Sequence, residues 1–330
     1  MVYDCFTFFN ELDLLEIRLN TLSEVVDRFV IAEATRTYRG QPKELLFEKN
    51  RARYAAFSDK IVYVVVDDLL PEEAVARDVL NLPWVNENRQ RNALARGLVG
   101  AKGDDVILVS DLDEIPRPEK VVEAVRLAQQ GDVVRLIQDV FIYYANLKDY
   151  RTPQWHLGTL AVSFATYATG RVLDDVACDR FTSASECAGR CIQKVRFLRP
   201  TRRLANAGWH MSYLGGLAAV RRKLQSFAHA EAAPLAEMAE ERLRRGENVL
   251  GGHRDAFGVP LDTSFPPYLV AHADRFEHLL FHLPEGYLRR TWGARRLAFL
   301  RGLVYRSLVA LVPMCLEKPL SGLYRKITFR

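Results

Sequence analysis

Apolar positions along the first 140 residues alternate between two rhythms. Near-continuous runs at Val2 to Phe9, Arg28 to Ala34, Ile61 to Val66, Val106 to Val109 and Val133 to Ile137 read as buried strands. Between them, Leu12, Leu15, Leu19 and Leu22 recur at helical spacing. Trp84 to Leu98 reads as a charged helix, and Pro118 opens another that runs to about Gln130, with proline in the first turn where its missing N–H costs nothing. Strand and helix alternating over short connections predict an α/β fold: a doubly wound, mainly parallel sheet with helices on both faces. The rhythm then weakens. Residues 140–215 mix short apolar runs with Gly, Cys and aromatics, which suggests antiparallel strands and loops. Residues 216–250 read as helices, 251–274 as loop, and the chain after Arg275 as a basic helical tail.

Composition narrows this picture rather than redirecting it. The 330 residues are 49% hydrophobic and 26% charged, which suits a globular chain and excludes disorder or coiled coil. The formal charge of +5 is uneven. Ten Lys/Arg and two Asp/Glu from Glu285 onward give the tail +8, against −3 for the rest. That excludes a general nucleic-acid binder and points to a local anionic contact at the tail. Cys5, Cys178, Cys187, Cys191 and Cys315 are odd in number. They include no C-x-x-C pair and lack a nearby fourth ligand, so a reducing compartment fits better than a zinc site. The start of the chain carries no signal-peptide pattern, and no uninterrupted apolar run reaches the roughly 18 residues of a spanning helix. A cytoplasmic location, peripheral on the inner face of the cell membrane, is the expectation.

The candidate chemistry centres on Asp111-Leu-Asp-Glu114, directly after the fourth strand. In extended chain, residues two apart face the same side, so Asp111 and Asp113 would point together while Leu112 faces the core. Ligands bind at that end of a parallel sheet, and paired carboxylates with open coordination suit Mn²⁺ or Mg²⁺ carrying phosphate oxygens. A solvated acidic turn is the plain alternative. Trp84, Glu87 and Arg91 share a helix face, where Arg91 either neutralises phosphate or pairs with Glu87.

The run Asp104-Asp-Val-Ile-Leu-Val-Ser-Asp-Leu-Asp-Glu-Ile-Pro116 resembles the central motif of the family 17 glycosyltransferases. Phe9-Asn-Glu-Leu-Asp-Leu-Leu-Glu-Ile-Arg18 is similar to that family's opening block. Val26-Asp-Arg-Phe-Val-Ile-Ala-Glu33, followed by Thr37, Gly40 and Lys43, is similar to its second, and Gly208-Trp-His-Met-Ser-Tyr-Leu-Gly-Gly216 to its third. Ser226-Phe-Ala-His-Ala-Glu231 and Asp274-Arg-Phe276 are later, weaker matches, so the likeness covers about residues 3–283. It implies a GT-A-type fold, with a nucleotide-sugar half over about 1–140 and an acceptor half over about 141–283; the basic amphipathic tail at 284–330 lies outside the likeness. It also implies an inverting, metal-dependent transfer of a sugar, such as N-acetylglucosamine, from a UDP-linked donor to a glycan or lipid-linked glycan acceptor.

The same resemblance assigns roles to single residues. Asp113, helped by Asp111 and completed by His210, would hold the metal; a structural histidine is the alternative. Asn10, Glu11, Glu33, Lys43 and Arg91 would line the nucleotide-sugar pocket, with Glu33 on base or ribose, unless Glu11 only caps its helix. Trp209 would stack on an acceptor sugar or sit in the core, and His229 with Glu231 would contact the acceptor or bridge two helices. The base that deprotonates the acceptor hydroxyl is drawn from Glu186, Asp175 and Asp139, with Glu186 favoured for its polar loop. Leu297 to Met314, apolar between arginines, reads as an interfacial helix on an anionic membrane surface or as a helix packed on the body. Two other classes stay in play: a different metal-dependent nucleotide enzyme, such as a nucleotidyltransferase, and a non-catalytic membrane-associated binding protein.

Overall fold

The computed structural model describes residues 1–77, 82–150, 153–168, 192–196, 198–217, 219–221, 240 and 255–310. Its first half follows the expected alternation. Strand β1 (Val2–Phe8) leads to helix α1 (Leu12–Leu22), then β2 (Arg28–Ala34) and β3 (Ile61–Val66). Helix α2 (Leu82–Ala93) precedes β4 (Val106–Asp111). After a two-residue turn, β5 (Glu114–Pro116) leads to α3 (Pro118–Gln129). Helix α2 stops short of the expected Leu98, because Leu94–Leu98 tightens into a 3₁₀ turn. Gly97 in that turn packs so closely on Val30 that a Cβ would overlap the valine side chain.

Later strands are short: β6 (Val134–Leu136), β7 (Gln138–Ile142), β8 (Leu147–Asp149), β9 (Gln154–Trp155) and β10 (Leu160–Ser163). Helix α4 (Ile192–Arg196), β11 (Arg202–Leu204), β12 (Gly208–Ser212) and β13 (Ala256–Gly258) follow. The seven-stranded sheet runs β11-β6-β10-β4-β1-β2-β3. Its β4-β1-β2-β3 half is parallel, and β10 is inserted antiparallel between β4 and β6. The expected doubly wound, mainly parallel sheet is therefore present.

Period-two alternation sends neighbouring side chains to opposite faces. Phe6, Phe8, Phe29, Ile31, Val106 and Leu108 pack with the buried residues of α1 and α3. Cys5, Val30, Ala32, Ile107 and Val109 pack with Ala93 and Leu94 and with Ile192 and Val195 of α4. Cys5 is buried, and that burial pushes its thiol well above the usual range. The other four cysteines lie outside the described residues.

A second sheet runs β13-β8-β7-β12-β5, with β9 on β7. Strand β5 belongs to this sheet, whereas β4 belongs to the first. The turn at Leu112-Asp113 is thus the corner at which the chain passes from one sheet to the other. Gly208 allows the closing strand in: a Cβ there would overlap the Ile115 carbonyl oxygen. The resulting β12–β5 register sets His210 opposite Glu114.

Candidate active site

The corner at Leu112-Asp113 is held from below by one buried arginine. Arg18 of α1 makes a two-pronged ion pair with Asp4, at 2.8 and 2.6 Å, and both side chains are fully buried. Its remaining donors reach Ser110 Oγ (2.6 Å) and the carbonyls of Asp111, Leu112 and Glu114 (3.0, 3.1 and 2.9 Å). A guanidinium presents donors in a fixed planar fork, so it can pin three carbonyls of the corner at once. Leu112 packs into the core, as its place in the motif implied.

The two aspartates meet different partners. Strand β4 ends at Asp111 and the chain turns, so the extended geometry that would align residues two apart is lost. The Asp111 carboxylate is instead clamped by two arginines, Arg91 of α2 (2.6 Å) and Arg196 of α4 (2.9 Å). Arg91 also donates to Glu87 (3.0 Å), so it serves both carboxylates rather than Glu87 alone. Arg196 makes two further bonds to the fully buried Glu114, at 2.8 and 2.6 Å. Burial alone would lower the Arg196 guanidinium; Asp111 and Glu114 beside it reverse this and hold it well above its usual value. Arg91 shows the same opposition, with Asp111 and Glu87 prevailing over burial. Arg135 supports the clamp by donating to the backbone carbonyls of Arg196 (2.7 Å) and Leu198 (3.3 Å).

Asp113 faces the second sheet. Its Oδ1 lies 3.7 Å from His210 Nε2, and its own carbonyl accepts from the Met211 N–H (2.8 Å). The His210 Nδ1 is buried without a hydrogen-bond partner among the described residues. Trp155 closes this side: its ring lies 4.6 Å from the His210 ring, and its Nε1 donates to Glu114 (2.6 Å). One carboxylate oxygen and one imidazole nitrogen facing each other fit a divalent cation that draws its other ligands from water and phosphate. Among the described residues, no group of three or more His, Cys, Asp or Glu side chains could hold a metal on its own. Asp113 and His210 could contribute two ligands to such an ion, whereas the Asp111 carboxylate, expected as a further ligand, is engaged by Arg91 and Arg196.

The other expected site residues separate. Asn10 and Glu11 follow β1 at the C-terminal edge of the sheet. The Glu11 carboxylate accepts from the Asn10 N–H (3.0 Å) and makes no capping bond to α1, so the capping alternative is not what the structure shows. Glu33 is fully buried and accepts from Lys43 Nζ (2.9 Å), the N–H groups of Leu46 (2.6 Å) and Phe47 (3.0 Å), and Tyr63 Oη (2.9 Å). Four protein donors occupy a carboxylate's lone-pair directions, so Glu33 ties down the 46–49 turn rather than meeting a base or ribose. Lys43 is engaged in the same knot and lies 5.7 Å from the centre of the Phe9 ring. Trp209 sits in the core at 2% exposure, with its Nε1 on the Ser264 carbonyl (3.0 Å) and Arg117 over its ring. The expected stacking on an acceptor is corrected accordingly, and the aromatic at the site is Trp155. Asp139 pairs with Lys148 (3.0 Å). Glu186, Asp175, His229 and Glu231 lie outside the described residues.

Residues 1–187, more than half the chain, match the family model described as glycosyltransferase family 17. The chain belongs to glycosyltransferase family 17. Its sheet is of the doubly wound, mainly parallel kind expected, with a helical layer on each face. A stretch of 119 residues, 34% of the chain, is 30% identical to the beta-1,4-mannosyl-glycoprotein 4-beta-N-acetylglucosaminyltransferase of Homo sapiens. The Rattus norvegicus and Mus musculus proteins of that name match over the same length at 30% and 29%. The match spans only 21% of each of those relatives. A crystal structure of S. aureus TarS 1-349 covers 93% of this chain and 91% of its own at a TM-score of 0.34 and 12% identity, a likeness too distant to bear on fold or activity.

Proposed function

We propose that this chain is a metal-dependent, inverting glycosyltransferase that moves N-acetylglucosamine from a UDP-linked donor to a hydroxyl of a glycan or lipid-linked glycan. The observation that carries the reading is the Asp113–His210 pair at the corner between the sheets, at the C-terminal end of β4. Family membership supports the transferase class. The names of the mammalian relatives support the choice of sugar.

In this reading the donor's diphosphate lies over the corner, where nucleotides meet parallel sheets. A divalent ion held there by Asp113 and His210 would supply charge neutralisation for the departing diphosphate. Arg18 fixes the backbone of the corner. Arg91 and Arg196 act through Asp111 and Glu114, keeping the turn and the Trp155–His210 wall in place without reorganisation. The acceptor oxygen forms the new bond to the anomeric carbon as the bond to the diphosphate breaks. A carboxylate base takes the acceptor proton, and the nucleoside diphosphate leaves. Asp139 is paired with Lys148, and Glu186 stays the favoured base.

The test is donor turnover with and without Mn²⁺. The wild-type protein should release UDP from UDP-N-acetylglucosamine only with the metal. Asp113→Asn should lower turnover by about a hundredfold or more while the thermal midpoint stays within a few degrees. Metal-independent turnover, or full activity of the variant, overturns the site assignment. Release of pyrophosphate in place of UDP would assign the site to nucleotidyl transfer.

A further inference from the structure

The C-terminal helix faces the wrong way for a packed surface helix, and this observation is independent of the transferase reading. Helix α5 (Trp292–Ala310) touches the body through Ala298 and Gly302, one turn apart and both buried. A Cβ at Gly302 would lie 2.5 Å from the Tyr150 carbonyl oxygen, so the small residue lets the helix sit directly on that loop. Arg301 reaches Asp255 (3.5 Å), and Tyr287, just before the helix, accepts from the Gly258 N–H (3.1 Å), which fixes the helix beside β13.

At 100° per residue, Leu297, Leu300 and Val304 fall on the side opposite Ala298 and Gly302. They are 51%, 55% and 55% exposed, and Leu303 extends the stripe. An amphipathic surface helix normally turns such residues inward; here the inward face is small and the apolar face is bare. Arg296 lies within the stripe between Leu300 and Leu303, Arg301 borders it beyond Leu297, and Arg289 and Arg290 are exposed ahead of it. Among the described residues, Arg289, Arg290 and Arg296 have no carboxylate partner. From Glu285 onward the only other acid in the sequence is Glu317. No helix among the described residues is long and apolar enough to cross a membrane.

We infer that α5 docks this protein in the plane of an anionic lipid bilayer, with Leu297, Leu300, Leu303 and Val304 entering the headgroup boundary and the flanking arginines meeting lipid phosphates. A second copy of the chain would also cover the stripe. Two-fold pairing, however, would bring like-charged arginines together, whereas an anionic surface complements them.

The test is sedimentation of the full chain with phosphatidylcholine vesicles that either contain or lack phosphatidylglycerol. Binding should require the anionic lipid and weaken as salt rises. Leu300→Glu/Val304→Glu should lose about tenfold or more in affinity, and Arg289→Glu/Arg290→Glu/Arg296→Glu about a hundredfold or more. All these residues are exposed, so both variants should keep the wild-type thermal midpoint. The lipid and salt dependence of the unmodified protein stands as evidence should either variant misfold. Equal binding to neutral vesicles, no binding at all, or unchanged binding by both folded variants overturns the inference. A dimer in sedimentation velocity that Leu300→Glu/Val304→Glu abolishes, without vesicle binding, assigns the face to self-association instead.

Discussion

Replacing Arg18 by methionine should damage both the stability of this protein and its donor site, and the size of each effect follows from what the guanidinium touches. The substitution keeps much of the aliphatic stem. It removes both hydrogen bonds to Asp4, one to Ser110 and one to each of three turn carbonyls. Asp4 is fully buried, so its carboxylate is left without a counter-charge or access to water. Breaking a buried pair from one side costs about 3–5 kcal/mol, because the orphaned charge keeps its desolvation penalty. In a chain of this size each kcal/mol moves the thermal midpoint by about 2 °C, so a fall of about 6–10 °C is expected by calorimetry or circular dichroism. Adding Asp4→Asn removes the orphaned charge and should return a substantial part of that loss. It should not restore donor affinity, because the carbonyls of Asp111, Leu112 and Glu114 still lack the donor that fixes the corner. A midpoint fall under about 2 °C for the single variant, or donor affinity equal to wild type, would refute the role given to Arg18.

Arg196→Met should raise the KM for donor and lower stability, since two carboxylates lose a shared partner; adding Glu114→Gln should recover stability without recovering KM, and recovery of both would show Arg196 to be structural only. Trp209→Ala should cost about 3–5 kcal/mol of stability by urea denaturation, as expected of a buried core aromatic, whereas a loss confined to acceptor KM would restore the stacking role. Burial would raise the Asp13 carboxyl, but hydrogen bonds from Arg53 and His278 outweigh it and hold the group below its usual value. A depressed folded pKa stabilises fully above the unfolded value of about 3.9 and loses that stabilisation as pH falls through the folded value. The midpoint advantage of wild type over Asp13→Asn should therefore shrink as pH falls below about 4; a gap unchanged from about pH 4.5 down to about pH 2.5 would contradict it.

What the sequence disclosed and what it withheld divide along physical lines. Strands β1, β2 and β4 were legible because each is buried on both faces and reads as an apolar run, β3 because it is almost wholly β-branched although it lies at the sheet edge, α1 because one face repeats at helical spacing, and α3 because Pro118 opens it. The central motif was legible as a place but not as a geometry. An aligned pair of aspartates assumes that the strand continues, and nothing local announces that β4 ends at Asp111 and the chain changes sheets. Glu33 and Trp209 stand at motif positions that suggest ligand contact, yet both are absorbed by protein partners many residues away. Arg196, Glu114 and Trp155 were missed because their meaning is tertiary: the partners of Arg196 lie 82 and 85 residues earlier. Arg18 did leave a signal. It is an arginine in an otherwise apolar helix face, and a fully buried arginine requires a buried acid to accompany it.

The most direct test of the account is isothermal titration of UDP-N-acetylglucosamine into wild-type protein and Asp113→Asn, each with and without Mn²⁺. Binding to wild type should depend on the metal, and the affinity of the variant should be low and indifferent to it. Tight binding by wild type without metal, or metal-dependent binding that Asp113→Asn leaves intact, would contradict the placement of the donor at this corner.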